Sequence, residues 1–403
     1  MLITPSLLHL KTRGTRGRQE PAVKLRPVSR DPAYGVEGLA VEEVLDRLDA
    51  PVLEVGPEMT EWQCIREDHA AMAHAGQWAD LLDALRFADQ DRTMASGGAL
   101  VAPQISAGIR AVATAAIDGG DLAAATAELA RFEAVCQLHP EDYGAAHLVA
   151  RIRIDLGLAK RAMATRGQLS RALWAESAAH FAAAEALLDA FDPIEEMSPL
   201  LAETRYLLVR GIEDGAGLCR VWYEDWVDLA PRDANAHATH AVQMLPDWFG
   251  SLAAFEKAAR RGTRLTEHLT GQAAYAVFHM TARNELGDLL PTVDLVLFLR
   301  GLTDYQAATG CQHRANVVAS LLTRLMRDFR AGGGAAAYPL TKVRAALSEV
   351  LWNRLHEVHL DRWEDGADSL AFALGEVFGP ALRRGARIMR KGEGLGTRVP
   401  RSL

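Results

Sequence analysis

Four breaks in this chain share one local form: a turn residue, a polar residue, then a large apolar residue. They are Gly76-Gln77-Trp78, Gly120-Asp121-Leu122, Pro246-Asp247-Trp248 and Gly287-Asp288-Leu289. Glycine or proline ends one helix, the polar residue caps the next, and the bulky residue packs back between the two. Each break therefore reads as the turn of a helical hairpin. The breaks lie 44, 126 and 41 residues apart, the long gap being close to three units of about 42, and Gly332-Gly333-Gly334 falls 45 beyond Gly287. A single hairpin exposes an apolar face that only a neighbouring hairpin can cover, so the period predicts an all-α fold, an α-solenoid of stacked antiparallel hairpins. The two missing turns are expected within Gly157 to Gly167 and Asp192 to Pro199, and Gly211 to Gly217 reads as a seam between two sub-arrays.

Composition points the same way. About 70 of the 403 residues are alanine, which orders into helix at no side-chain entropy cost, while runs of Val, Ile and Thr long enough for a sheet are almost absent. With 49% hydrophobic and 24% charged residues, wholesale disorder, collagen and coiled-coil filaments are excluded. No run of eighteen apolar residues occurs, so no transmembrane helix is expected. Pro5 and His9 interrupt the apolar Leu2–Leu10 stretch and no small-residue cleavage site follows, so no secretory signal is expected either. Cys64, Cys136, Cys219 and Cys311 form no C-x-x-C pair and read as small buried apolar residues in the reducing compartment of a cytoplasmic protein.

The net charge of −8 hides two basic ends, because residues 1–30 and 381–403 each carry +6 and leave −20 between them. The expected organisation is a basic arm over 1–35, a first helical array over 36–210, a second over 211–380 and a basic tail over 381–403. Arginines such as Arg13, Arg16 and Arg18 could release counterions from nucleic acid or an anionic surface, which makes that class one alternative function. The same ends also read as solvated tails or as segments lying on their own acidic body. No aromatic residue is interleaved with the charges, so a stacking platform for single strands is not expected.

These residues resemble the tetratricopeptide-repeat family. Counting from the Gly120 turn, Ala113 falls on its small helix-A position and Ala125 on its small helix-B position. Leu138-His139-Pro140-Glu141-Asp142 and Leu229-Ala230-Pro231-Arg232-Asp233 look like its inter-repeat junction, and Ser251 to Ala258 resembles its helix B. The resemblance covers 61–300. It departs in period, about 42 residues rather than the family's 34, and in prolines that come late or are missing. It implies a non-catalytic scaffold that binds a partner peptide or helix along a concave face, with no cofactor.

Solenoids bind through the wall lined by the first helix of each pair. With Pro140 and Pro231 as junctions, that wall carries His147 and Arg151 on one helix and Asn235, Thr239 and Gln243 on another, a set able to hydrogen-bond an extended peptide or a carboxylate. Trp222 and Trp226 share a helical face and Trp248 follows about twenty residues later; they read either as core between hairpins or as rigid anchors of a binding surface. His237-x-x-His240 and His356-x-x-His359 each place two imidazoles on one helical face. With a third ligand from elsewhere either pair could hold zinc, so a helical enzyme with a dispersed, metal-dependent site is a further alternative beside the reading as packing residues. Glu-x-x-His and H-E-x-x-H are both absent. The glycine run after Ala331 lacks the Gly-Lys-Ser/Thr of a phosphate loop, and Gly392 to Gly396 spells a dinucleotide fingerprint without the strand, turn and helix that give it meaning.

Overall fold

A computed structural model describes residues 39–166, 170–331 and 337–399. The arm expected over 1–35 and the Gly332-Gly333-Gly334 turn lie outside the described residues. The fold is mostly helical. Its helices are α1 Val41–Leu45, α2 Pro57–His74, α3 Trp78–Gln90, α4 Val101–Ile109, α5 Ala111–Asp118, α6 Leu122–Leu138, α7 Tyr143–Arg166, α8 Arg171–Leu188 and α9 Pro199–Leu207. They continue as α10 Gly215–Leu229, α11 Ala234–Gln243, α12 Leu252–Thr270, α13 Ala273–Leu286, α14 Leu295–Ala307, α15 Gln312–Ala331, α16 Ala337–Asn353 and α17 Gly366–Leu382.

Consecutive helices pack against each other through most of the chain. The α5–α6 hairpin shows how the sequence sets the geometry. Gly120 takes φ +77°, a left-handed turn that favours glycine, and Asp121 then caps α6 by accepting the Ala124 N–H at 3.0 Å. Ala113 and Ala125 are both fully buried, as two small residues at a close helix crossing should be. Gly76 makes the equivalent left-handed turn before α3. The other two breaks differ from expectation. Trp248 and Leu289 open no helix, because Ser251 and Asp294 supply the caps and start α12 and α14 a few residues later. Within the Gly157 to Gly167 stretch, α7 runs through Gly157 to Arg166 and Gly167 lies outside the described residues; the missing Cβ of Gly157 lets the Phe181 ring of α8 approach while Ser177 Oγ donates to its carbonyl at 2.8 Å. The break between α8 and α9 does fall in the Asp192 to Pro199 stretch.

The helices divide into two kinds. α6, α12 and α14 bury one stripe, whereas α9, α11, α13 and α17 and the larger parts of α7 and α15 are buried almost all round. The apolar core crosses the expected 210/211 boundary without interruption, joining Tyr206 and Val209 to Cys219, Tyr223 and Trp226.

The two ends of the described chain meet. β1 Leu48–Asp49 pairs in parallel with β4 Arg387–Lys391, which pairs antiparallel with β5 Gly394–Arg398, and β2 Val52–Leu53 pairs in parallel with β3 Val358–His359. α1 packs on α17. The expected basic tail over 381–403 is thus a β-hairpin across 387–398, with Ile388 and Leu395 fully buried in the common core. Ile388 and Leu395 lie on the same face of the hairpin, one on each strand, and their burial outweighs the charge that made the segment look solvated.

Asn316 of α15 pins this seam. It is fully buried; its amide donates to the carbonyls of Gln312 and Glu357, and its oxygen accepts from the His359 N–H and from Trp363 Nε1, all at 2.9 Å. Asn316→Ala leaves two buried donors without acceptors, and urea denaturation should show a loss of about 3 kcal/mol. Arg387→Ala, which removes a solvent-exposed pair with Asp49, should leave the midpoint unchanged.

Candidate functional site

α7, α9 and α11 bring the expected wall residues together, but most of them face protein. His147 is sealed in, with Nε2 2.7 Å from Ser106 Oγ and Nδ1 2.7 Å from Thr204 Oγ1, so it ties α4, α7 and α9 together instead of lining a groove. Burial, with Arg110 and Arg151 nearby, holds its imidazole far below the ordinary range. Thr239 and Gln243 are likewise buried, and Asn235 is half-buried at the start of α11.

Arg151 stays near the surface, its side chain 14% exposed. Its Nε donates to Asp155 Oδ1 at 3.3 Å and its Nη1 to Glu203 Oε1 at 3.4 Å, while Arg110 Nη1 reaches Asp155 Oδ2 at 3.2 Å. Burial lowers the Arg110 guanidinium to about 10, yet it remains charged at neutral pH. Arg210 completes the wall. With its amide oxygen turned toward the guanidinium, Gln243 accepts from Arg210 Nη2 at 2.6 Å, and the same guanidinium lies 4.7 Å from the Trp248 ring centroid. Three arginines thus face two carboxylates in one recessed wall that Trp248, 41% exposed, borders.

The tryptophans do not act as a set. Trp226 is core, packed on Tyr206 at 5.8 Å between ring centroids, and Trp222 is partly buried beneath Arg205. Only Trp248 of the three belongs to the wall.

Neither histidine pair forms a metal site. His237 and His240 do share one face of α11, but Tyr223 Oη bonds His237 Nδ1 and Tyr206 Oη bonds His240 Nδ1, each at 2.7 Å, and the Tyr223 ring stacks on His240 at 3.9 Å. His356 and His359 lie outside any helix, in the seam, where His359 is fully buried with Nε2 2.8 Å from Glu357 Oε1 and Nδ1 3.6 Å from Glu58 Oε2. Among the described residues no group of three or more His, Cys, Asp or Glu is placed to hold a metal ion. The four cysteines are free thiols, but of the set expected to be buried Cys219 is, whereas Cys64 is exposed and Cys136 and Cys311 are half-buried.

Sequence reasoning also missed a row of carboxylates at the N-terminal ends of the buried helices. Asp142 accepts the Ala145 N–H of α7 at 3.1 Å, Asp89 the Leu200 N–H of α9 at 2.9 Å and Asp233 the Asn235 N–H of α11 at 2.9 Å. Asp304 accepts the Gln272 N–H before α13 at 2.7 Å, and Glu58 the His313 N–H of α15 at 3.2 Å. Asp142 and Asp233 stood in the junction motifs and could have been read as caps. Asp89, Asp304 and Glu58 come from other helices, so no local signal marks them. A comparison with family models, curated proteins and solved structures finds no match to this chain.

Burial gives these groups a definite pH signature. It holds His237 at about 4, His240 at about 3, His279 at about 4 and His313 at about 3, below the ordinary 6.5, and it pushes Asp89 up to about 6 and Asp233 to about 7 from 3.8. The imidazoles, His147 included, contribute stability that is present above 6.5 and is lost as pH falls toward their folded values. The two carboxyls work the other way, their contribution fading as pH rises through 6 to 7. The imidazoles outnumber the carboxyls, so the unfolding free energy should be smaller at about pH 5 than at about pH 7. Urea denaturation at the two pH values checks this, and equal or greater stability at the lower pH contradicts it.

Proposed function

We propose that the chain is a tetratricopeptide-like array of helical hairpins and works as a non-catalytic scaffold, holding a partner segment against the wall built from α7, α9 and α11. One observation supports this reading above the others: Arg151 is shared at 3.3 and 3.4 Å between carboxylates of two different helices, in a wall recessed but still open to solvent. Contacts of that length are longer than a charge-assisted hydrogen bond prefers, which leaves the guanidinium able to take a partner's carboxylate or peptide carbonyl at shorter range. Trp248, held flat by Arg210, offers an apolar platform beside them. The mechanism is recognition of an extended or helical segment by fixed charges and one aromatic face, with no bond made or broken.

This places the binding residues differently from the sequence expectation. On this reading Arg151 and Trp248 touch the partner, whereas the buried His147, Thr239 and Gln243 support the wall from behind. The test is quantitative affinity capture from the native cell with the full-length chain and with Arg151→Gln/Trp248→Ala. The expected result is a partner recovered by the unsubstituted chain and at least ten-fold depleted with the double variant, whose thermal unfolding stays cooperative. A set of captured proteins that is the same for both contradicts the reading.

A further inference from the structure

Where α3 ends beside the starts of α7 and α9, the surface carries an open groove of about 330 Å³ that neither Arg151 nor Trp248 lines. Three segments meet in it: α3 supplies Asp83, Arg86 and Phe87, the loop before α7 supplies Glu141, and the turn before α9 supplies Glu196. Each segment also brings a large apolar side chain to the surface. Phe87 is 71% exposed and Leu138, three residues before Glu141, is 78% exposed, which makes them the two most exposed large apolar side chains among the described residues. Ile194 and Met197, in the turn that carries Glu196, are exposed as well. One exposed apolar residue needs no explanation, but four on segments that converge mark an interaction surface.

The turn before α9 is held in place from several sides. Asp192 Oδ1 accepts the Ile194 N–H at 2.7 Å, the Ser198 N–H donates to the Pro193 carbonyl at 2.9 Å, and Gln90 Nε2 of α3 donates to the Glu196 carbonyl at 3.4 Å. Met197 takes φ +51°, a left-handed conformation that non-glycine residues rarely adopt, so these contacts and not backbone preference fix the turn. The groove is acidic. The one guanidinium among the described lining residues, Arg86, is already shared between Asp83 and Asp142, the latter at 2.9 Å. Among the described residues Glu141 and Glu196 form no ion pair within 4.0 Å. Two carboxylates without counter-charges therefore lie in one groove with an exposed aromatic ring.

We infer that this groove docks a basic segment of another protein, with Lys or Arg side chains on Glu141 and Glu196 and an apolar side chain on Phe87. Long cationic side chains suit such a surface because their stems cover apolar area while their heads reach the carboxylates. Charge steers the segment in, and the exposed ring anchors it. The site is distinct from the proposed wall. Tyr143, which lines the groove, and Arg151 of the wall are eight residues apart on α7, about 12 Å along the helix, and the wall offers arginines where the groove offers carboxylates. A scaffold with both faces would hold two segments of opposite charge side by side.

Fluorescence anisotropy of a labelled amphipathic Lys/Leu peptide, titrated with the full-length protein, tests the site. The expected result is saturable binding that weakens at least ten-fold when Gln replaces Lys in the peptide, and at least ten-fold in Phe87→Ser and in Glu141→Gln/Glu196→Gln. Glu267→Gln/Asp288→Asn removes the same charge from exposed positions outside the groove and should leave binding unchanged. Absence of saturable binding overturns the inference, as does equal binding of the Gln/Leu peptide or an equal loss in the Glu267/Asp288 variant. Self-association of the chain that Phe87→Ser abolishes would assign the groove to a second copy, and binding seen only after removal of residues 1–30 would assign it to that segment; either result also overturns it.

Discussion

Helices buried on nearly every side set the central problem of this structure, because their first backbone N–H groups have no partner within the helix and little water to turn to. Five of them meet that need with carboxylates. Asp142 and Asp233 come from the preceding loops, while Asp89, Asp304 and Glu58 reach in from other helices. Asp89 does the most, also accepting from Tyr143 Oη at 3.1 Å and from Ser198 Oγ, so that the starts of α7 and α9 are tied to the end of α3. A negative group at a helix start gains from the dipole as well as from the hydrogen bond.

The same contacts decide the course of the chain. The segment after Asp89 runs past the starts of the buried helices: Arg92 Nε donates to the Leu229 carbonyl at 2.6 Å just before α11, and the Gly97 carbonyl receives Arg314 of α15. From there the earliest strands, β1 and β2, pair with β4 and β3 near the opposite end of the sequence. An array of hairpins that ends freely would leave its last apolar face uncovered. Here α1 packs on α17 and β5 on α16, so segments far apart in the sequence cover one another's apolar faces.

Local signals in the sequence carried local structure well. The left-handed glycines at 76 and 120, the small pair Ala113 and Ala125, and the cap Asp121 all depend on a few neighbouring residues, and each was readable as such. Helix starts at α12 and α14 went astray by a few residues because a serine or aspartate downstream is a better cap than the break itself. The wall residues illustrate the harder case. Periodicity placed His147, Thr239 and Gln243 on the correct helices, but whether a face is open or covered depends on elements elsewhere in the chain: Ser106 and Thr204 seal His147, and Arg210 covers Gln243. Pairings across more than 300 residues, such as Leu48 with Ile388, leave no trace in either segment alone, and the basic charge of the last residues masked a strand hairpin.

The claim that the rest depends on is that the two ends of the described chain are joined. Val52 and Val358 are directly opposed across the parallel β2–β3 pair, so Val52→Cys/Val358→Cys places two thiols at bonding distance only if the seam is closed. Peptide mapping after mild oxidation of dilute full-length protein measures this. The account predicts a bond between the two substituted positions within one chain in most molecules. Substituted positions that stay reduced, or that link only between separate chains, would contradict it.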